Sequence, residues 1–314
     1  RRDGGTAHHQ VFDVIRGAYK RIYPSSNAVE DTATDTLTSF DSDGFSVGAN
    51  SGVNGSSNAT VAWNWKANGQ GSSNTDGSTN TTYTSVNSTA GFSISTYAGS
   101  GSAATIGHGL GAAPEVIIIK CTTHVENWVM YHKSLNASGA GTYVYFNTAA
   151  PGGSGSNTSI FNNTAPTNSV FSVNTDGVSN GSGKNYVAYC FKEKQGYSKF
   201  GIYTGNGNDD GAFIYTGFKP AFVITKQTNG GNHWHIHDNK RNAFNVVNKQ
   251  LKVDSNAVEE TPAGGENSRD FLSNGFKFRD SDHNNSNGST YIYLAFAEEP
   301  LVANVGASIP ATAR

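Results

Sequence analysis

Phe45-Ser-Val47 and, further on, Val61-Ala-Trp63-Asn-Trp65-Lys66 form the stretch from which the fold is read. Val61, Trp63 and Trp65 alternate with Ala62, Asn64 and Lys66, so one side of an extended chain is bulky and the other small or polar. That period of two belongs to a strand packed on one face. The unit recurs as Phe171-Ser-Val173 with Val187-Ala-Tyr189-Cys-Phe191-Lys192, and as Phe276-Lys-Phe278 with Ile292-Tyr-Leu294-Ala-Phe296. In each copy the first Phe stands twenty residues before the last large ring (Trp65, Phe191, Phe296), with an Asn/Gly/Ser-rich loop between them. Recurrence in fixed register predicts a tandem array. It also predicts that the last strand of each copy packs inward.

Working outward, a Pro introduces a buried apolar strand ending in Lys at Pro114–Lys120 and again at Pro220–Lys226. Trp128 and Trp234 follow eight residues after those lysines, and Tyr97 and Tyr203 precede them at the same offset of 106 residues. Asn27-Ala-Val-Glu30 recurs as Asn256-Ala-Val-Glu259, which ties the N-terminal segment to the last copy. The expectation is an all-β chain of tandem β-sandwich domains: two complete repeats of about 105 residues and an N-terminal half repeat. Residues 1–67 are read as the C-terminal half of a repeat, 68–91 as a Gly/Ser/Asn-rich linker and leading strand, 92–196 and 197–300 as the complete copies, and 301–314 as an extended tail. Arg1-Arg2 stands where the other copies carry their Lys, and no Pro-led strand precedes it. Completion of the half repeat by upstream residues or by a partner is therefore expected, since an unpaired sheet edge is aggregation-prone.

Composition agrees with strands. Gly, Ser, Thr, Asn, Tyr, Phe and Val abound while there is a single Met, a diet poor for helices. The net charge of −2, with 15% charged residues and no basic stripe, argues against nucleic acid and anionic membrane as partners. No segment has the length and hydropathy of a transmembrane helix or the pattern of a signal peptide. Cys121 and Cys190 are too few for a disulfide framework and read as buried free thiols.

Tyr97-Ala-Gly-Ser-Gly101, Gly107-His-Gly-Leu-Gly111 leading to Pro114 and Lys120, Asn127-Trp128-Val-Met-Tyr131, and Val61–Lys66 carry a resemblance. So does the closing Ser308-Ile-Pro-Ala-Thr-Ala-Arg314. The chain resembles the β-rich module of structural and tail-fibre-like proteins of marine tailed bacteriophages, a module that often follows a concanavalin A-like lectin domain. The resemblance implies a virion component exposed on the particle: a tail-fibre or appendage subunit that contacts the host surface. Its implied partners are other virion proteins, copies of itself in a trimer, and a host glycan or protein. A capsid decoration protein and a secreted carbohydrate-binding module are the competing readings. The second complete copy departs from the pattern, with Ile214-Tyr-Thr-Gly217 in place of the His108 turn.

For chemistry, His233, His235 and His237 alternate along a strand and present three imidazoles to one face as candidate metal ligands. The plainer reading is a solvent face opposite buried Trp234 and Ile236. Asp280 and Asp282 lie in an oxygen-rich loop that lacks the spacing of a calcium-binding helix–loop–helix. Tyr143, Tyr145, Tyr215 and Tyr293 are candidates for a flat sugar-stacking surface. No acid pair, Ser/His/Asp set or Cys/His pair recurs between copies, so no catalytic residue, no cofactor and no enzyme activity is expected. The core signature is Phe45, Trp63 and Trp65; Trp128, Phe171, Tyr189 and Phe191; and Trp234, Phe276, Leu294 and Phe296.

Overall fold

The second copy of the repeated stretch, Asn185–Phe191, is a strand at the centre of a six-stranded antiparallel sheet. The computed structural model describes residues 6–135, 142–152 and 158–298, and the protein is all-β. The chain gathers into two units: the first holds 1–148, 153–192 and 253–258, the second 149–152, 193–252 and 259–314. The anticipated C-terminal tail, 301–314, falls outside the described residues.

The N-terminal half copy contributes β1 (Lys20–Arg21), β2 (Asp31–Thr32), β3 (Leu37–Phe40) and β4 (Phe45–Val47), paired β1 with β2 and β3 with β4. The first complete copy follows with β5 (Tyr83–Asn87), β6 (Phe92–Ala98), β7 (Ala104–Gly107), β8 (Val116–Cys121), β9 (Val129–His132), β10 (Val144–Tyr145), β11 (Val170–Val173) and β12 (Asn185–Phe191). Its main sheet runs β10-β9-β8-β12-β6-β5, and β7 with β11 forms the opposing layer. The second copy supplies β13 (Ser198–Thr204), β14 (Phe213–Tyr215), β15 (Pro220–Gln227), β16 (His235–Asp238), β17 (Leu251–Lys252), β18 (Arg269–Leu272), β19 (Gly275–Phe278) and β20 (Thr290–Ala297). Here β17-β16-β15-β20-β13 faces β14-β19-β18.

The two copies share strand order and register. Tyr189 pairs across to Ile94 and Ile118, and Leu294 to Phe200 and Ile224, each partner 106 residues further on. Between the layers of the first copy lie Ile106, Ile117, Ile119, Val129, Phe171 and Val173; between those of the second lie Ile214, Val223, Phe271, Phe276 and Phe278. Cys121 and Cys190 are buried, unbonded thiols.

Several expectations change. Alternation sends Tyr186, Ala188 and Cys190 into the first copy's core, so Tyr189 and Phe191 occupy the other face of the sheet with Trp128. That face is covered as well. Trp65 meets Phe191 edge-on, and the Tyr189 hydroxyl donates to Asp13 at 2.7 Å. The main sheet is thus buried on both sides, which explains the unbroken burial of β8. Trp234, Leu294 and Phe296 are buried on the corresponding face of the second copy. In the half copy, Val61–Lys66 keeps its alternation, with Val61, Trp63 and Trp65 half-buried and Ala62, Asn64 and Lys66 exposed. Phe45 is 40% exposed rather than core, since β3 is the sole partner of β4 among the described residues. The 68–80 segment is not a free linker. Ser72 bridges Thr84, Thr79 bridges Ile106, and a Cβ on Gly77 would fall 2.3 Å from the Thr105 carbonyl.

Two buried ion networks repeat as well. Arg16 donates to Asp13, to Glu30 and to the Val11 carbonyl, while Lys20 pairs with Glu30. In the second unit Arg241 donates to Asp238, to Glu259 and to the Ile236 carbonyl, while Lys249 pairs with Glu259. The repeated Asn-Ala-Val-Glu is therefore the carboxylate arm of a buried cross-link. A second device also repeats. Lys120 Nζ donates to the carbonyls of Asn27 and Glu126, and Lys226 Nζ to those of Ala149 and Asn232. Beside each lysine the crossing strap, 27–30 or 149–152, adds backbone bonds: Glu30 N–H to Thr122 and Glu126 N–H to Asn27 in the first, and Gly152 N–H to Thr228 in the second.

Candidate functional site

β16 lies between β15 and β17, and its alternation sets His235 and His237 on the sandwich interior, opposite Thr225 and Val223. Trp234 and Ile236 take the other face, and all four side chains are buried. The solvent-face reading of the histidines therefore fails: both faces of this sheet are covered. From the facing layer, Arg269 of β18 projects inward and is 0% exposed. The matching positions of the first copy are Ile119, Val129 and Tyr131. One sandwich thus satisfies the fold with apolar residues where the other places Thr225, His235 and His237.

The Arg269 guanidinium lies 4.9 Å over the Phe278 ring, and among the described residues none of its three nitrogens has a hydrogen-bond partner. Burial lowers its pKa to about 10. Burial, with the Arg269 charge beside them, holds His235 and His237 well below the ordinary imidazole range. Asp280 is also buried, and burial raises its carboxyl to about 7 against the attraction of Arg269. Among the described residues, neither the His237 ring nor the Asp280 carboxyl has a hydrogen-bond partner in good geometry.

Beside this cluster the second unit opens a cleft of about 490 Å³. Its walls include Asn232, His233, His235, Gln250, Lys252, Glu260, Asn267 and His283. Glu260 accepts from Gln250 Nε2 at 2.9 Å and from Lys252 Nζ at 2.8 Å. Gln250 Oε1 sits 2.7 Å from His235 Nδ1. Asn232 Oδ1 accepts from the His233 N–H at 2.8 Å, and Asn232 Nδ2 donates to the His283 carbonyl at 2.9 Å. The cleft is thus lined by oriented amides, a carboxylate, an ammonium and a neutral imidazole.

Among the described residues, no three His, Cys, Asp or Glu side chains converge to hold a metal ion. Arg269 repels a cation from His235 and His237. The two candidate aspartates part company: Asp280 is buried, while the Asp282 side chain is 70% exposed and accepts from the His283 N–H. The tyrosines do not form one surface either. Tyr293 is core, Tyr143 and Tyr145 are half-buried and edge-to-face at 5.1 Å, and only Tyr215 stands out, at 64% exposure. His108 is buried in its turn, accepting from the Leu110 N–H and facing the Thr167 carbonyl.

Sequence reasoning found His233 and His235 but missed Asn232, Gln250, Lys252, Glu260 and Arg269. Comparing the copies position by position carries a signal for some of them, because Lys252 and Gln250 fall where the first copy has Tyr145 and Tyr143.

A family model described as a domain of unknown function, DUF7483, matches residues 1–300. The chain belongs to the DUF7483 family. All three copies of the repeat fall inside that match, so in this DUF7483 chain the half copy is part of the family unit. No curated protein and no solved structure matches the chain.

Proposed function

We propose that this DUF7483 chain is a structural component of a tailed-bacteriophage virion, a tail-fibre or appendage subunit that takes part in attachment to the host surface. The observation that supports this most is what has been duplicated. Strand order, register, buried Lys and ion network recur, whereas no set of titratable side chains that could perform catalysis does. Repetition of scaffold without repetition of chemistry suits a protein whose work is spacing and display. Attachment then gains from many weak contacts made at once by an oligomer, for which a trimer is the expected form. The chain has no reaction or cofactor of its own in this reading.

Quantitative mass spectrometry of purified particles tests it. A low copy number, in multiples of three, is expected of an appendage. Copies matching the capsid lattice would replace that reading with capsid decoration, and absence from particles would overturn the virion assignment. A binding-module reading is favoured by one feature alone, the polar cleft of the second unit.

A further inference from the structure

We propose that the cleft of the second unit is a saccharide-binding site in which a hydroxyl group of the ligand donates its hydrogen to His235 Nε2. The inference deepens the attachment reading and rests on it for its biology, but its chemistry follows from a chain of fixed hydrogen bonds. The Glu260 carboxylate can only accept, so the Gln250 amide must turn its NH₂ toward it. Gln250 then shows its oxygen to His235 Nδ1 at 2.7 Å, and Nδ1 must carry the proton. His235 is 1% exposed, and burial keeps the ring neutral, so Nε2 bears a lone pair.

Asn232 cannot answer that lone pair. Its NH₂ is committed to the His283 carbonyl and its oxygen to the His233 N–H. The closest approach to His235 Nε2 is that same oxygen, at 3.4 Å. Two acceptors therefore face each other at the cleft wall, an arrangement that calls for a donor approaching from beside them. A hydroxyl is the group that fits, because it donates to one acceptor and can still accept from Lys252 or an amide.

The rest of the cleft selects among hydroxyl-bearing ligands. Its size falls in the range of sites for small organic molecules. Glu260 and Glu266 on its walls disfavour an anion, while Lys252 and the neighbouring Arg269 disfavour a cation. The Lys252 ammonium as donor, with the Glu260 carboxylate and His235 Nε2 as acceptors, matches the hydroxyls of a neutral hexose, each of which can donate and accept. The first copy carries Val129 at the position of His235, so the fold itself does not demand an imidazole there.

The full-length chain should be applied to an array of neutral gluco-, galacto- and manno-oligosaccharides beside acidic ones. Binding to at least one neutral series is expected. It should weaken about tenfold or more in His235→Val, with the melting temperature held or raised. Long-range ¹H–¹⁵N spectra of the unliganded chain should show the Nδ1-protonated tautomer of His235, with the Nε2 signal shifting when the bound saccharide is added. A flat array, binding of acidic saccharides only, an Nε2-protonated ring, or undiminished binding by His235→Val would each overturn the site. A chain found in particles but silent on the array would sink this inference and leave attachment standing. A chain that binds sugar but is missing from particles would do the reverse.

Discussion

At the scale of single residues, the second sandwich holds titratable groups that a hydrophobic core would avoid. Asp280 keeps its proton up to about pH 7, whereas an exposed aspartate loses it near 3.8. Across that interval folding takes up a proton, so the Asp280 contribution to stability falls as pH rises from about 4 to about 7 and is fully lost above. A shift of that size corresponds to at most about 4 kcal/mol. His235 and His237 act in the opposite sense. They stay neutral when folded but gain a proton below about 6.5 when unfolded, so their contribution rises with pH through that range. Asp280→Asn should therefore leave the histidine slope alone: urea melts of the variant should strengthen from pH 5 to pH 7, and the wild type should be flatter or inverted. Identical pH profiles for the two proteins would show that Asp280 ionises normally. Replacing Arg269 by Met in the Asp280→Asn background removes a buried cation without hydrogen bonds. It should stabilise the protein by roughly 1–4 kcal/mol, read from the same melts.

At the scale of elements, the buried lysines and the ion networks fasten strands to the straps that cross them. Lys120→Met removes the Nζ donor from the Glu126 carbonyl and from the Asn27 carbonyl, which keeps only the Glu126 N–H. A loss of about 1–3 kcal/mol is expected, with faster hydrogen exchange at the Glu30 N–H, which bonds to Thr122. Lys226→Met should do the same at the Gly152 N–H. Arg16→Met and Arg241→Met remove the buried cation beside Asp13 and Asp238, which keep neutral donors, and should each cost about 3–5 kcal/mol in chemical denaturation. If either arginine variant melts like the wild type, its network is ornamental. The strands themselves were legible from the alternation in Val187–Phe191 and Ile292–Phe296 and from the shared offset of Pro114 and Pro220. The face each strand turns to the core was not. A sheet buried on both sides has large residues at odd and even positions alike, so Tyr189 and Tyr186 look equally like core. In the half copy Phe45 has the pattern of Phe171 and Phe276, but β3 is the sole partner of β4 among the described residues, so the ring stays 40% exposed. The cleft was legible only through His233 and His235, because its other walls, from Gln250 to Glu266, come from irregular chain whose arrangement no local pattern encodes.

At the scale of the whole molecule, duplication supplies an internal control. The two sandwiches share a topology, yet each has its own apolar core, one gathered around Phe171 and the other around Phe276. These residues are matched, 105 positions apart, and both are fully buried. Truncating a buried Phe to Ala in a close-packed interior costs about 3–5 kcal/mol. If stability is held locally by each core, Phe171→Ala should raise hydrogen exchange through β6–β12 and spare β13–β20, and Phe276→Ala should do the reverse. Peptide-resolved exchange at matched denaturant concentrations reads both outcomes from one experiment per variant. Equal loss of protection in both units from either substitution would mean that the chain opens as one block.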